Sequence, residues 1–358
     1  MLRIEYLDQT EDVYDIEVEK NSNFFANGIL VHNCEITLPT TPLKDINDES
    51  GEISLCTLAA INWGKIKKPS DFEKPCTLAV RALDALLDYQ SYPVNAARIS
   101  TLNRRPLGVG IINLAYWLAR NGSNYSDPNL ELVHEYAEAW SYYLIKASVD
   151  LAKESGVGPC PKHTETRYGE GVMPIDTYKR EVDELIPNPD YKMDWDTLRG
   201  DAFLYGIRNS TLMALMPAET SAQISNSTNG IEPPRALVSV KQSKDGTLKQ
   251  VVPGIAKYKN KYELLWDQKS PEGYLKICAV LQKFIDQAIS VNFSYNPAHY
   301  PDNKIPMSVL LGDMLMHYRF GGKCGYYLNT NDGAGEINLD VQLSSDGIDE
   351  NDCDSCKI

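Results

Sequence analysis

Apolar residues recur along this chain at two periods, and their alternation divides it into helices and short strands. Helical spacing runs through residues 76–89, 107–120 and the long 130–154, which stops near Gly156. Further helices are predicted over 273–292 and 306–320. Residues 208–216 open polar and close on Leu212-Met213-Ala214-Leu215-Met216, the pattern of a strand buried at its far end. That strand runs into Pro217-Ala218-Glu219-Thr220-Ser221, a helix start. Residues 236–241 and 248–252 flank Asp245-Gly246 and predict a hairpin, and 324–328 predict a short strand. Helices alternating with short buried strands predict an α/β domain with a parallel sheet. Residues 1–33 differ. Alternating segments such as 13–18 and an Asn27-Gly28 turn predict a small all-β piece, too short to hold its own core and in need of complementary strands.

Composition narrows this picture. At 358 residues, 43% hydrophobic and 23% charged, the chain is globular and has room for two domains or one large one. No apolar run approaches the roughly 20 residues that cross a bilayer, and Met1-Leu2-Arg3-Ile4-Glu5 lacks a secretory apolar core. A net charge of −14 argues against a phosphate-backbone binder. We therefore expect a cytoplasmic protein with neither nucleic-acid nor membrane partners. The eight cysteines are scattered without a framework spacing, which reads as reduced thiols. The five histidines are isolated, so no metal site is expected. From Asn331 onward eight acidic residues and one lysine stand among Gly and Ser, the composition of a flexible tail.

Four constellations could carry chemistry. Glu35 lies beside Cys34 and about twenty residues before Cys56, so proton transfer and thiol redox chemistry could combine. By residues alone, Cys56 inside an apolar strand also reads as a small buried hydrophobe. Pro217, Ala218, Glu219, Thr220 and Ser221 place hydroxyls and free N–H groups at a helix start, which suits an anion or a plain cap. Tyr326-Tyr327 could relay electrons and protons, or pack in the core. Cys353 and Cys356, two residues apart on the acidic tail, can close a disulfide and travel with it.

Val31-His32-Asn33-Cys34, preceded by Asn23-Phe24-Phe25-Ala26-Asn27-Gly28-Ile29-Leu30, resembles the last blocks of an intein. The residue types suit the chemistry. The Asn33 side-chain amide can attack its own carbonyl and cut the chain, His32 can assist the leaving amine, and Cys34 supplies the nucleophile that follows. An ordinary N-terminal hairpin is the alternative. Ser22 stands where many inteins have His.

From Glu35 to Ile358 the chain resembles the C-terminal half of the class I ribonucleotide reductase large subunit. The resemblance rests on an ordered series of motifs. They are Leu38-Pro39-Thr40, Leu55-Cys56-Thr57-Leu58, Arg81 to Tyr89, Arg208-Asn209-Ser210-Thr211-Leu212, Gln223-Ile224-Ser225-Asn226, Asn229 to Pro234, and Lys283 to Gln287. It implies residues 34–330 as the C-terminal half of a ten-stranded α/β barrel with a C-terminal α/β region, residues 331–358 as a redox tail, and residues 1–33 as an intein fragment. It implies Glu35 as acceptor of the ribose 3′-hydroxyl proton and Cys56 as one of two reducing cysteines. Residues 217–221 would hold the substrate diphosphate, and Tyr326 and Tyr327 would pass a radical inward. Cys353 and Cys356 would re-reduce the site, served by thioredoxin or glutaredoxin.

The family pattern is Cys-x-Glu, whereas here Cys34 directly precedes Glu35. In register, the thiyl cysteine would then end another polypeptide, and Cys34 would be the splicing nucleophile. The tail spacing also differs from relatives with four intervening residues. Lys323-Cys324-Gly325-Tyr326 touches a glycyl-radical reductase pattern, but Lys stands for Arg. The expected partners are a large-subunit fragment carrying the N-intein, the small subunit with its di-metal/tyrosyl radical cofactor, a ribonucleoside diphosphate and a second large subunit. No cofactor is expected on this chain itself, and ATP/dNTP allosteric sites would lie in the missing N-terminal part. A phage origin, with work in the host cytoplasm, fits a fragmented, intein-bearing reductase. The rival reading is a non-catalytic binding module derived from the reductase, with a degenerate intein.

Overall fold

A computed structural model describes residues 40–45, 48, 50–187, 189–243 and 246–331, with the backbone alone for 23–26, 29–32, 219, 220, 240–243 and 246–249. Near the N-terminus β1 (Asn23–Ala26) and β2 (Ile29–His32) pair antiparallel with Ala26 opposite Ile29.

From Thr57 onward strands and helices alternate. β3 (Thr57–Asn62) leads through α1 (Glu73–Tyr89) and α2 (Asn95–Arg104) to β4 (Leu107–Ile112). After α3 (Leu114–Arg120), α4 (Leu130–Lys153), α5 (Pro174–Thr177) and α6 (Trp195–Tyr205) comes an extended segment at 211–215. Next are α7 (Glu219–Ile224), the antiparallel hairpin β5 (Val238–Ser243) with β6 (Gly246–Val251), α8 (Ile255–Tyr258) and α9 (Glu272–Gln282). Then β7 (Val291–Tyr295), α10 (Met307–Arg319) and β8 (Gly325–Thr330) complete the described fold.

The parallel sheet anticipated from the alternation is present, ordered in space as in sequence. β3 pairs parallel with β4, and β7 pairs parallel with β8. Between these pairs the 211–215 segment is a bridge on both sides, through Val109–Met213 and Leu215–Ile289. Backbone bonds Val109 N–H to Leu212 O (2.8 Å) and Ser290 N–H to Leu215 O (2.9 Å) carry the series across. Five extended segments thus run side by side, each joined to the next by a helical crossover, the βαβ plan.

The helices cover this sheet with apolar stripes. α1 buries Cys76, Val80, Leu83 and Leu87 at helical spacing, packing against α4 and β3. Trp63, Trp117 and Tyr136 meet edge to face at centroid distances of 5.3 Å and 4.9 Å. Each fully buried large side chain of this kind contributes about 1.5–3 kcal/mol relative to exposure. No helix among the described residues is long and apolar enough to cross a membrane.

Two expected helices prove to be strand and helix joined. Over 107–120 the apolar spacing is interrupted by Asn113 at φ 68°, and 107–112 is strand β4. Every residue of β4 is buried, so its pattern shows no alternation and imitates a helix. Over 273–292 the helix stops at Gln282. The chain then extends because the Asp286 carboxylate accepts N–H bonds from Leu212 (2.7 Å) and Met213 (2.9 Å), contacts only the tertiary fold provides.

Candidate functional site

Cys56 immediately precedes β3 and is half-buried, rather than lying inside the strand as expected. Its sulfur lies over Gly108 of β4. A Cβ there would stand 2.7 Å from Cys56 Sγ and 2.5 Å from Leu58 Cδ2, so the absence of a side chain creates the space. The thiol donates to Gln287 Oε1 at 4.0 Å, and the same carboxamide is oriented by its Nε2 donating to Leu107 O at 2.7 Å. Other cysteines differ sharply. Cys76, Cys160 and Cys278 are fully buried, and burial pushes their thiols up, Cys160 to about 11. Those three are inert at neutral pH, whereas Cys56 combines access with a polar neighbour.

Upstream of Cys56, Glu52 anchors the segment. Burial would raise its carboxyl, but the Arg104 guanidinium and the Thr41 N–H outweigh that and hold it at about 2. Arg104 Nη2 lies 3.0 Å from Glu52 Oε2, and Ile53 N–H donates to Ala96 O at 3.2 Å.

The 217–221 segment lies at the C-terminal rim of the sheet. Pro217 is exposed, Ala218 is buried and Ser221 is exposed. Glu219 and Thr220 open α7, and nothing is described of their side chains. Ala218 and Ala222 pack on Ile112 at the end of β4, with Ala60 of β3 beside them. A polar network holds the following loop. Asn62 Nδ2 donates to Ser227 Oγ (2.8 Å), Asn113 Nδ2 to Asn62 Oδ1 (3.0 Å), and Thr228 N–H to Asn113 Oδ1 (3.1 Å). The ends of two parallel strands therefore fix a helix start, where first-turn N–H groups lack intrahelical partners and favour an anion. Ligands of open α/β sheets commonly occupy such rims.

At the other end of the series, Tyr326 is half-buried and Tyr327 is 52% exposed, with ring centroids 4.0 Å apart. The structure thus brings the two phenols together on β8 and sets Cys56 and the 217–221 rim on the β3–β4 side. Burial also pushes the Glu232 carboxyl up, against the opposing pull of Asn292 and Arg235.

His32 lies in β2 opposite Asn23. Asn33, Cys34, Glu35, Cys353 and Cys356 lie outside the described residues, as does the 13–18 segment. Among the described residues no His, Cys, Asp and Glu side chains cluster as metal ligands. Gln287, Asn113, Asn62 and Asn292 carry contacts that sequence reasoning missed. Gln287 enters the sequence reading only as the last residue of the 283–287 motif, with no role of its own.

Residues 18–328 match the family model described as the ribonucleotide reductase barrel domain, and the match begins within the 1–33 segment. The chain is 56% identical over 308 residues to the ribonucleoside-diphosphate reductase subunit alpha of Haemophilus influenzae, covering 86% of this chain and 40% of that protein. It is 53% identical over 327 residues to the reductase 1 subunit alpha of Escherichia coli, covering 90% and 42% respectively. With the subunit alpha of Enterobacteria phage T4 it shares 44% over 332 residues, covering 91% and 42%. The chain spans about two fifths of the length of these relatives.

Proposed function

The chain belongs to the ribonucleotide reductase barrel-domain family, and from that premise we propose that residues 34–358 form the C-terminal part of a ribonucleoside-diphosphate reductase large subunit. Residues 1–33 are a C-terminal intein fragment that joins it to its N-terminal part by trans-splicing. The observation that carries the reading is the parallel series itself. A half-buried thiol and an anion-suited helix start lie on its β3–β4 side, and stacked phenols lie on β8.

In this reading Glu35 takes the proton of the ribose 3′-hydroxyl. Cys56 and a second thiol from the N-terminal part each give up one proton and one electron. The substrate loses its 2′-hydroxyl as water, and the two sulfurs close a disulfide. The start of α7, with Ser221 and Thr220, holds the diphosphate, while Tyr326 and Tyr327 conduct the oxidising equivalent inward. The small subunit's di-metal/tyrosyl cofactor supplies that equivalent. Cys353 and Cys356 exchange with the active-site disulfide, regenerating its thiols and taking the oxidation onto the tail, which thioredoxin or glutaredoxin then reduces. Allosteric nucleotides bind the N-terminal part. The working assembly is a dimer of large subunits with the small subunit, in the cytoplasm, that of a host if the chain is phage-encoded.

At the junction, His32, Asn33 and Cys34 perform the excision. The cut falls between the radical cysteine and Glu35, so neither part reduces nucleotides alone. Coexpression with an N-terminal part that carries the N-intein tests this by intact mass. Loss of the 33-residue segment, with Cys34 joined to the incoming cysteine, is expected, followed by deoxynucleoside diphosphate formation when small subunit and thioredoxin are added. An unspliced mixture, or a spliced product without turnover, would remove the corresponding half of the proposal.

A further inference from the structure

Consecutive side chains of a regular strand face opposite sides of the sheet, so neighbouring rings should not meet. Tyr326 and Tyr327 nevertheless lie with centroids 4.0 Å apart and planes at 53°. The pairing of β7 with β8 explains why. Val291 stands opposite Gly325 and Phe293 opposite Leu328, so Asn292 alone faces both tyrosines. This is a β-bulge, and the extra residue breaks the alternation that would have sent one ring to the other face.

A bulge also disrupts the ladder, and the structure supplies a side chain in its place. Tyr327 N–H donates to Asn292 Oδ1 at 3.1 Å. Asn292 Nδ2 in turn donates to Glu232 Oε1 at 2.5 Å, which fixes the amide with its oxygen toward β8. Glu232 sits in a loop that is itself clamped. Gly230 O accepts from Leu114 N–H at 3.3 Å, and Ile231 O accepts from the buried Tyr125 hydroxyl at 2.9 Å.

We propose that Asn292 and Glu232 are positioning residues that lock the β8 bulge and so hold Tyr326 and Tyr327 ring to ring. This rests on the reading of the tyrosine pair as a redox relay and deepens it. Asn292 meets the Tyr327 backbone amide, and Glu232 meets Asn292. They act by denying β8 the regular register, in which the two rings would part.

The test uses the full chain with 3-fluorotyrosine placed at position 327. Fluorine NMR then reports the ring current of Tyr326, and Tyr326→Leu gives the shift of the separated state. Asn292→Ala should move the resonance to that separated value. It should also speed deuterium exchange at the Tyr327 amide about tenfold, the loss of one hydrogen bond. Glu232→Ala should shift the resonance in the same direction, whereas Glu232→Gln, which keeps an acceptor for Asn292, should restore the native shift. Should Asn292→Ala fail to fold, Asn292→Asp serves, because it keeps the acceptor for Tyr327 but loses the donor to Glu232.

In the joined enzyme with small subunit, the shifted variants should lose about tenfold in kcat with KM for the nucleotide unchanged. A native resonance and native amide exchange in folded Asn292→Ala and Glu232→Ala would overturn the lock, whatever the activity. If the resonance responds as stated but no wild-type assembly ever reduces nucleotides, the lock stands and the reductase reading fails.

Discussion

The two outer strands of the parallel series, β3 and β8, present their reactive side chains by opposite means. Beside β3, room for the Cys56 sulfur comes from subtraction, because Gly108 across the ladder has no side chain. On β8 the Tyr326–Tyr327 contact comes from addition, because an extra residue in the strand turns both rings together. The supports differ as well. A buried ion pair, Glu52 with Arg104, holds the approach to Cys56, while an amide and a carboxyl, Asn292 and Glu232, hold the bulge. A regular parallel strand supplies alternating faces only. Placing a group elsewhere takes a missing side chain beside an intact ladder, as at Gly108, or a breach of the ladder, as in β8.

The strongest way to break this comparison is to remove the reacting groups. In the joined enzyme, Cys56→Ser and Tyr327→Phe should each lower nucleotide reduction by roughly three orders of magnitude. Melting temperatures should stay within about 2 °C, since neither change opens a core cavity. Substantial turnover in either variant would show that its side of the sheet is not redox machinery.

Acid should separate the two sides by sign. Glu52 titrates at about 2 when folded, against 4.5 ordinarily, so its stabilisation is present above pH 4.5 and is lost as pH falls toward 2. Glu232 is shifted the other way, so its contribution is full below pH 4.5 and is lost as pH rises through its folded value. Hydrogen exchange between pH 4.5 and 2 should therefore loosen β3 before β8. Glu52→Gln should cost about 3 kcal/mol at neutral pH in urea titrations and flatten that acid limb.

Crowding the subtraction comes next. Gly108→Ala should destabilise by about 2 kcal/mol, with part of the loss recovered when Cys56→Ala removes the sulfur it strikes. Fully additive costs would mean that Gly108 is not what makes room for Cys56. The smallest effect should follow Ser227→Ala, which removes the acceptor of Asn62. About 1 kcal/mol is expected, along with a few-fold rise in KM for the diphosphate and an unchanged kcat.

Much of this architecture is legible in the residues. The apolar stripes of 76–89 and 130–154 and the hairpin at 236–252 correspond to α1, α4 and β5–β6 within a few residues. What misled was burial on every side. Leu107-Gly108-Val109-Gly110-Ile111-Ile112 has no polar face, so periodicity could not distinguish strand from helix. The stretch after Gln282 reads as helix until Asp286 finds the Leu212 and Met213 amides, 73 and more residues away in sequence. Separation along the chain likewise hides Gln287 beside Cys56 and Glu232 beside Asn292, because hydrogen-bond partners far apart in sequence leave no local pattern.

The sequence by itself determined the alternation of helix and strand, the parallel class of sheet and the residue types at the candidate site. Those follow from periodicity and side-chain chemistry, which act within a few neighbours. The tertiary structure decided where 107–112 and 289–292 become extended, which strand borders which, and how Tyr326 meets Tyr327. Ladder register and buried polar pairing are settled between segments far apart in the chain, and their energy exists only once those segments are in contact.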